Sequence, residues 1–148
     1  MVVYMSALQH VDIYTDGSCR PNGMGGWAAS LYAAGSNLNT LGNEPNTTNN
    51  RMELYAVIKG LEQLQYPCDV TIYTDSKYVC DGINEWLGRW AHHQWRTKKG
   101  TPIEHQDLWQ IIYRSKLKHR IHAVWVKGHA GHPANEAVDS LAQLMSSM

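Results

Sequence analysis

Apolar and polar residues alternate along Val11–Asp16 and again along Val70–Asp75, and the two stretches are near copies, V-D-I-Y-T-D and V-T-I-Y-T-D. A period of two in β-branched and aromatic residues predicts a strand for each. Trp27–Ala34 and Ser36–Gly42 read as two further strands, forming an antiparallel meander with the first across a glycine-rich turn, Gly17–Gly26. Gly42–Asn50 is a polar loop, after which Leu54, Val57, Ile58, Leu61 and Leu64 fall at helical spacing, with Thr47, Thr48 or Asn49 as the cap. After Pro67 and the second copy of the strand, Ser76 caps a helix through Lys77–Ile83. Glu104–Lys118 is a helix with Leu108, Ile111, Ile112 and Leu117 as its apolar positions. Arg120–Val126 alternates as a strand, Lys127–Pro133 is a loop, and Ala134–Met145 is a last helix with Val138, Leu141, Ala142 and Met145 on one face. The order βββαβαααβα implies an α/β sheet in which the twin strands are joined by a parallel crossover.

At 148 residues and 43% hydrophobic content the chain suffices for one domain with a core, led by a short frayed segment at residues 1–9. No signal-peptide pattern and no membrane-length apolar run is present, so the expected setting is the cytoplasm, without membrane contact. Cys19, Cys68 and Cys80 are odd in number and lack metal-ligand spacing, which fits reduced, packed thiols. Net charge is zero, so a nucleic-acid partner has to be argued from local charge. Trp86, Trp90 and Trp95 supply such a place, interleaved with Arg89, Arg96, Lys98 and Lys99 in a Trp-rich basic stretch over residues 86–101.

Each twin strand ends on an aspartate. Side by side and parallel, they bring Asp16 and Asp75 together at the carboxyl edge, on strands about 4.8 Å apart, where open α/β sheets bind ligands. Two ionised carboxylates that close require a cation between them; the alternative is that each caps an ordinary turn. Glu53, early in the first helix, and Asp139, in the last, complete a group of four acids. Three or four carboxylates from different elements suit two cations about 4 Å apart in phosphoryl transfer. Oxygen ligands favour Mg²⁺ or Mn²⁺ over zinc. Complementation of the helix dipole is the alternative for Glu53, and a solvated helix face for Asp139. In V-K-G-H-A-G-H-P at Val126–Pro133, His129 and His132 stand in a glycine-framed loop where a histidine can handle a proton.

The stretches Y-T-D-G-S-C at 14–19, T-T-N-N-R-M-E-L at 47–54, Y-T-D-S-K-Y-V at 73–79, D-L-W-Q at 107–110 and W-V-K-G-H-A-G-H-P-A-N-E-A-V-D at 125–139 run in order through almost the whole chain. Together they resemble the type 1 ribonuclease H family, in its bacterial ribonuclease HI branch. The resemblance implies a five-stranded mixed sheet, three antiparallel strands plus two parallel, flanked by helices. It also implies metal-dependent endonucleolytic cleavage of the RNA strand of an RNA–DNA hybrid by a monomer with no obligate protein partner, using two Mg²⁺ ions or Mn²⁺ in their place. Asp16, Glu53, Asp75 and Asp139 fall on the family's catalytic, metal-holding carboxylates, and His129 on its mobile loop histidine. Cys19, Asn22, Asn49 and Asn50 fall where the family contacts the RNA strand, whose 2′-hydroxyls distinguish it from DNA.

Thr48 is retained at a further substrate position. Lys77 stands where bacterial members often carry glutamine, His105 where an asparagine is expected near the pocket for a DNA phosphate, and Asn46 at a position that can be basic. The segment at 86–101 resembles the basic protrusion that grips the DNA strand, with Trp86, Trp90, Arg89, Arg96, Lys98 and Lys99 as its contacts, although core packing is the expected role of at least two of Trp86, Trp90 and Trp95. Between Trp90 and Trp95 this chain reads A-H-H-Q, where relatives place several lysines or arginines. These departures bear on affinity more than on chemistry. A nucleic-acid-binding module without hydrolysis, or another two-metal nuclease of the same fold, is the competing reading.

Overall fold

The computed structural model describes residues 8–128 and 131–148. Its strands are β1 (Gln9–Cys19), β2 (Gly25–Ala33), β3 (Ser36–Glu44), β4 (Cys68–Thr74) and β5 (Arg120–Trp125). They form one sheet in the order β3-β2-β1-β4-β5. β1–β2 and β2–β3 pair antiparallel, while β4 pairs in parallel with both β1 and β5. The twin segments lie in register, Val11 against Val70, Ile13 against Ile72 and Tyr14 against Tyr73. Identical alternation on both strands therefore sends the same kind of side chain to the same face.

The helices are α1 (Asn49–Leu61), α2 (Lys77–Asp81), α3 (Leu87–His92), α4 (Gln106–Lys118) and α5 (Pro133–Ser146). One face of the sheet, through Val11, Ile13, Val70 and Ile72, packs on Leu54, Val57 and Ile58 of α1 and on Leu108, Trp109 and Ile112 of α4. The other face meets α5, where Ala28 packs on Val138 and Ala142. Thr48 caps α1, its hydroxyl accepting from the Arg51 N–H at 3.2 Å. Within β4 and α4 the join is made by His119, whose Nδ1 accepts the Cys68 N–H at 3.0 Å; burial holds that imidazole's pKa below its ordinary value.

Several sequence expectations shift. Gly17–Cys19 belong to β1 and Gly25–Gly26 to β2, so the glycine-rich turn is shorter than predicted; the glycines serve close packing. Gln9, placed in the lead, already begins β1, and the rest of the lead before Leu8 lies outside the described residues. α1 ends at Leu61, leaving Leu64 in the following turn, and Glu53 is its fifth residue, beyond the first turn where the dipole acts. The helix after Ser76 does not stop at Ile83 but continues through a π-helical turn, Gly82–Trp86, into α3. Gly82 there lies against the Trp109 indole, with no room for a Cβ. Leu117, assigned to the apolar face of α4, is 71% exposed, while Trp109, not assigned to it, is fully buried. Among the described residues no helix is long and apolar enough to cross a membrane, and all three cysteines are free, Cys68 and Cys80 buried.

Candidate active site

Asp16 on β1 and Asp75, just beyond β4, meet at one edge of the sheet. Glu53 reaches them because β1 passes directly over the second turn of α1: a Cβ on Gly17 would overlap the Met52–Glu53 peptide. Carboxylate oxygens of Asp16, Glu53 and Asp75 all lie within 4.8 Å of one another. Asp16 is only 3% exposed and Glu53 8%.

The electrostatics follow from that crowding. Burial is the largest cause pushing the Asp16 carboxyl up to about 8, and the carboxylates of Asp139 and Asp75 push the same way, while a hydrogen bond with Glu53 opposes them. Burial and then Asp16 hold Glu53 well above the usual carboxylate range. Among the described residues, Glu53 Oε2 is buried with no hydrogen-bond partner. A buried acceptor left unsatisfied costs about 1–3 kcal/mol, more for a charged group. An all-oxygen donor set with raised pKa values and an orphaned oxygen fits a hard divalent cation, which would supply the missing partner and favour the ionised forms.

Asp139 on α5 adjoins this triad through its hydrogen bond with Asp16. Both of its oxygens accept from Gln143 Nε2, one turn on, at 3.3 Å. The structure thus brings the four predicted acids together. His129 lies outside the described residues; His132 is exposed and precedes α5.

The sequence did not point to two neighbours of Asp75. Gly128 packs so closely that a Cβ there would stand 3.2 Å from Asp75 Oδ2. Trp125 Nε1 donates to the Asp75 carbonyl at 3.1 Å, and Lys77 Nζ lies 4.9 Å from the centre of that indole. A tryptophan at the strand end, directly before the V-K-G-H loop, was the available signal for the second.

A polar rim borders the triad where the loop after β1 meets the start of α1. The Cys19 N–H donates to Asn49 Oδ1 at 2.6 Å, and the Cys19 thiol faces the Thr47 carbonyl at 3.3 Å. Asn22 Oδ1 accepts the Met24 N–H at 2.9 Å, shaping the turn, and Asn50 is exposed. The predicted strip of Cys19, Asn22, Thr48, Asn49 and Asn50 is therefore one surface, several members of which also hold the fold.

The Trp-rich segment forms an arm. Trp86 packs against Trp90 with ring centres 5.5 Å apart, Trp90 meets Trp109 at 5.3 Å, and Trp95 meets Tyr113 at 5.7 Å. Trp86, Arg89, Trp90, His93, Arg96, Thr97 and Lys98 line a cavity of about 570 Å³. Aromatic faces ringed by guanidinium and ammonium groups suit a nucleic-acid backbone. Lys99 sits at the exposed tip of the same hairpin, outside the lining.

A sheet of this order with carboxylates converging at its edge defines a metal-dependent nuclease of the ribonuclease H class. The RNase H family model matches residues 8–147, and the chain belongs to that family. It is 53% identical over 131 residues to Ribonuclease H of Thiobacillus denitrificans, covering 88% of each chain. With Ribonuclease H of Novosphingobium aromaticivorans it shares 48% identity over 136 residues, 91% of this chain and 95% of the other. Among solved structures it resembles LC9-RNase H1, a type 1 RNase H with the type 2 active-site motif, at a TM-score of 0.83 and 34% identity, over 95% of this chain and 73% of that one.

Proposed function

We propose that this chain is a hybrid-specific endoribonuclease, hydrolysing the RNA strand of RNA–DNA duplexes to leave 5′-phosphate ends. The observation that carries the reading is the convergence of Asp16, Glu53 and Asp75, two of them buried, with one Glu53 oxygen unsatisfied. Asp16, Glu53, Asp75 and Asp139 would hold two divalent cations, Mg²⁺ or Mn²⁺. When bound, such ions make a water nucleophilic and stabilise the departing 3′-oxygen.

The chain's own groups bind and orient. Asn49, Asn50, Asn22 and Cys19 offer short polar groups to the RNA strand's 2′-hydroxyls and base edges. Thr48, the cap of α1, and Lys77, the first residue of α2, add further substrate contacts. Arg89, Arg96, Lys98 and Lys99 neutralise phosphates of the DNA strand, and Trp86 and Trp90 pack on its sugars. His129 carries the proton to or from the reacting phosphate. The unit acts as a monomer, in the cytoplasm, as a single ribonuclease H domain.

Matched RNA–DNA, RNA–RNA and DNA–DNA duplexes, digested with and without Mg²⁺ or Mn²⁺, test this. Cleavage is expected only of RNA, only in the hybrid and only with metal. Cutting of the RNA–RNA duplex at a comparable rate, or cutting in excess chelator, would overturn the reading.

A further inference from the structure

Away from the carboxylates, one ion pair joins two helices that are distant in sequence. Arg51 is the third residue of α1 and Asp107 the second of α4. Arg51 Nη2 donates to Asp107 Oδ2 at 2.7 Å and Nη1 to Oδ1 at 3.2 Å, a two-pronged contact. Nη1 also lies 3.3 Å from His105 Nδ1. A guanidinium can only donate, so Nδ1 accepts and the ring proton is assigned to Nε2, which faces Glu104 Oε1 at 3.4 Å. His105 itself holds a left-handed backbone, φ 58°. Glu104, His105 and Asp107 are thus folded around one guanidinium, and the Asp107 carboxyl is held below its ordinary range by it.

The bridge ties together two surfaces that a duplex would have to touch at once. On the α1 side, Thr48, Asn49 and Asn50 immediately precede Arg51, and Glu53 follows by two residues. On the α4 side, the helix begins three residues after Ile103, whose N–H closes the basic hairpin onto the Trp95 carbonyl at 2.9 Å. That hairpin carries Arg96, Lys98 and Lys99, its stem held by Thr97 N–H to the Thr101 carbonyl at 2.7 Å. Apolar packing between α1 and α4 is non-directional and tolerates sliding, whereas a bidentate guanidinium–carboxylate pair has one geometry.

We propose that the Arg51–Asp107 pair is a positioning strut that fixes the span between the RNA-strand rim and the DNA-gripping arm, so that one hybrid engages both. This rests on the hybrid-nuclease reading above. The pair takes no part in bond cleavage; it acts through the placement of the arm.

A double-mutant cycle tests it, comparing wild type, Arg51→Met, the arm variant Lys98→Ala/Lys99→Ala and their combination on a long hybrid. Arg51→Met is expected to raise KM about five- to tenfold and to leave kcat within about twofold. In the arm variant the same substitution should change KM by less than about twofold, because changes acting through one contact are not additive. The swap Arg51→Asp/Asp107→Arg should recover most of the loss. Asp107→Asn, which keeps the shape and weakens the pair, replaces Arg51→Met should the latter fail to fold. Additive effects in the cycle, or a fall in kcat matching the rise in KM, would assign the bridge to general stability and overturn the proposal. Hybrid affinity in Ca²⁺ is read on the same set, so a wild type that binds in Ca²⁺ but does not cut in Mg²⁺ or Mn²⁺ refutes the nuclease reading while the affinity cycle still decides the strut. A wild type that neither binds nor cuts the hybrid overturns both.

Discussion

Gly17 lies flat against the Met52–Glu53 peptide, and its backbone hydrogen-bonds the Glu53 carboxylate. Its φ is not in the left-handed region, so the need for glycine is one of space alone. This contact sets the distance between the strand that carries Asp16 and the helix that carries Glu53. Gly17→Ala should push the two apart, costing about 1–3 kcal/mol of stability through overpacking. Cleavage should fall by about 10²-fold, since small displacements of a reacting group are that expensive. A thermal melt and a single-turnover assay check both, and a variant with wild-type melting temperature and rate would refute the close-approach account.

Gln94 and Trp95 are consecutive residues with left-handed backbone, φ 56° and 60°. Trp95 is held there by its packing on Tyr113 and by hydrogen bonds from its N–H to the Trp90 carbonyl and to its carbonyl from Ile103 N–H. Gln94 is exposed and follows only because the elbow requires it. A left-handed residue with a side chain costs about 1–2 kcal/mol, part of which glycine returns as lost chain entropy. Gln94→Gly should therefore stabilise by about 1 kcal/mol, raising Tm by about 2–4 °C. A lower Tm would mean that the Gln94 side chain contributes a contact the backbone argument omits.

How far the sequence was legible depends on whether a contact is periodic. The twin strands announced themselves because alternation and a shared final aspartate survive without any partner, and their parallel pairing then followed. The cap of α1 could be narrowed to Thr47, Thr48 or Asn49 because capping is local, and Thr48 is the one that caps. Gly17 against α1, Gly82 against Trp109 and Arg51 against Asp107 are encounters between segments far apart in the chain, and no spacing encodes them. Leu117 and Trp109 show the same limit within one helix: Leu117, at an apolar spacing, is exposed, while Trp109 is buried against Gly82, a contact from a distant segment that no spacing along α4 encodes.

Asn84, in the π-helical turn, uses its side-chain amide as a backbone would. Nδ2 donates to the Ala123 carbonyl and Oδ1 accepts the Ala123 N–H, each at 2.8 Å. β5 is the last strand of the sheet, so this amide pairs part of an edge that would otherwise be open. Asn84→Ala should cost about 1–3 kcal/mol, the penalty for leaving two part-buried backbone groups unpaired. Asn84→Asp should be no better, because a carboxylate can accept from the N–H but faces the Ala123 carbonyl with like polarity. Chemical denaturation measures both; an Asn84→Ala variant as stable as wild type would show that water replaces the amide without cost.

The last prediction concerns the charge stored in the triad when no metal is bound. Asp16 titrates near 8 against an ordinary value of 3.8, chiefly through burial and then through Asp139 and Asp75. An acid whose folded pKa is raised keeps its proton in the folded state while the unfolded chain releases it. Its contribution to stability is therefore complete below about pH 4 and is lost as pH rises toward about 8. In chelator, wild type should melt lower at pH 8 than at pH 5. Asp16→Asn should remove much of that difference and be the more stable protein at pH 8, as should Asp75→Asn to a smaller degree, since each deletes one charge of a repelling group. Mg²⁺ should raise the wild-type melting temperature at pH 8 and move the Asp16→Asn variant less, because ligand stabilisation follows affinity. Both variants should lose cleavage by more than the about 10²–10⁴-fold that removal of a proton-handling group costs, the range expected for His129→Ala, with His132→Ala milder still. Near wild-type cleavage by Asp16→Asn under Mg²⁺, or an unchanged pH slope of its stability in chelator, would remove the metal assignment from this cluster.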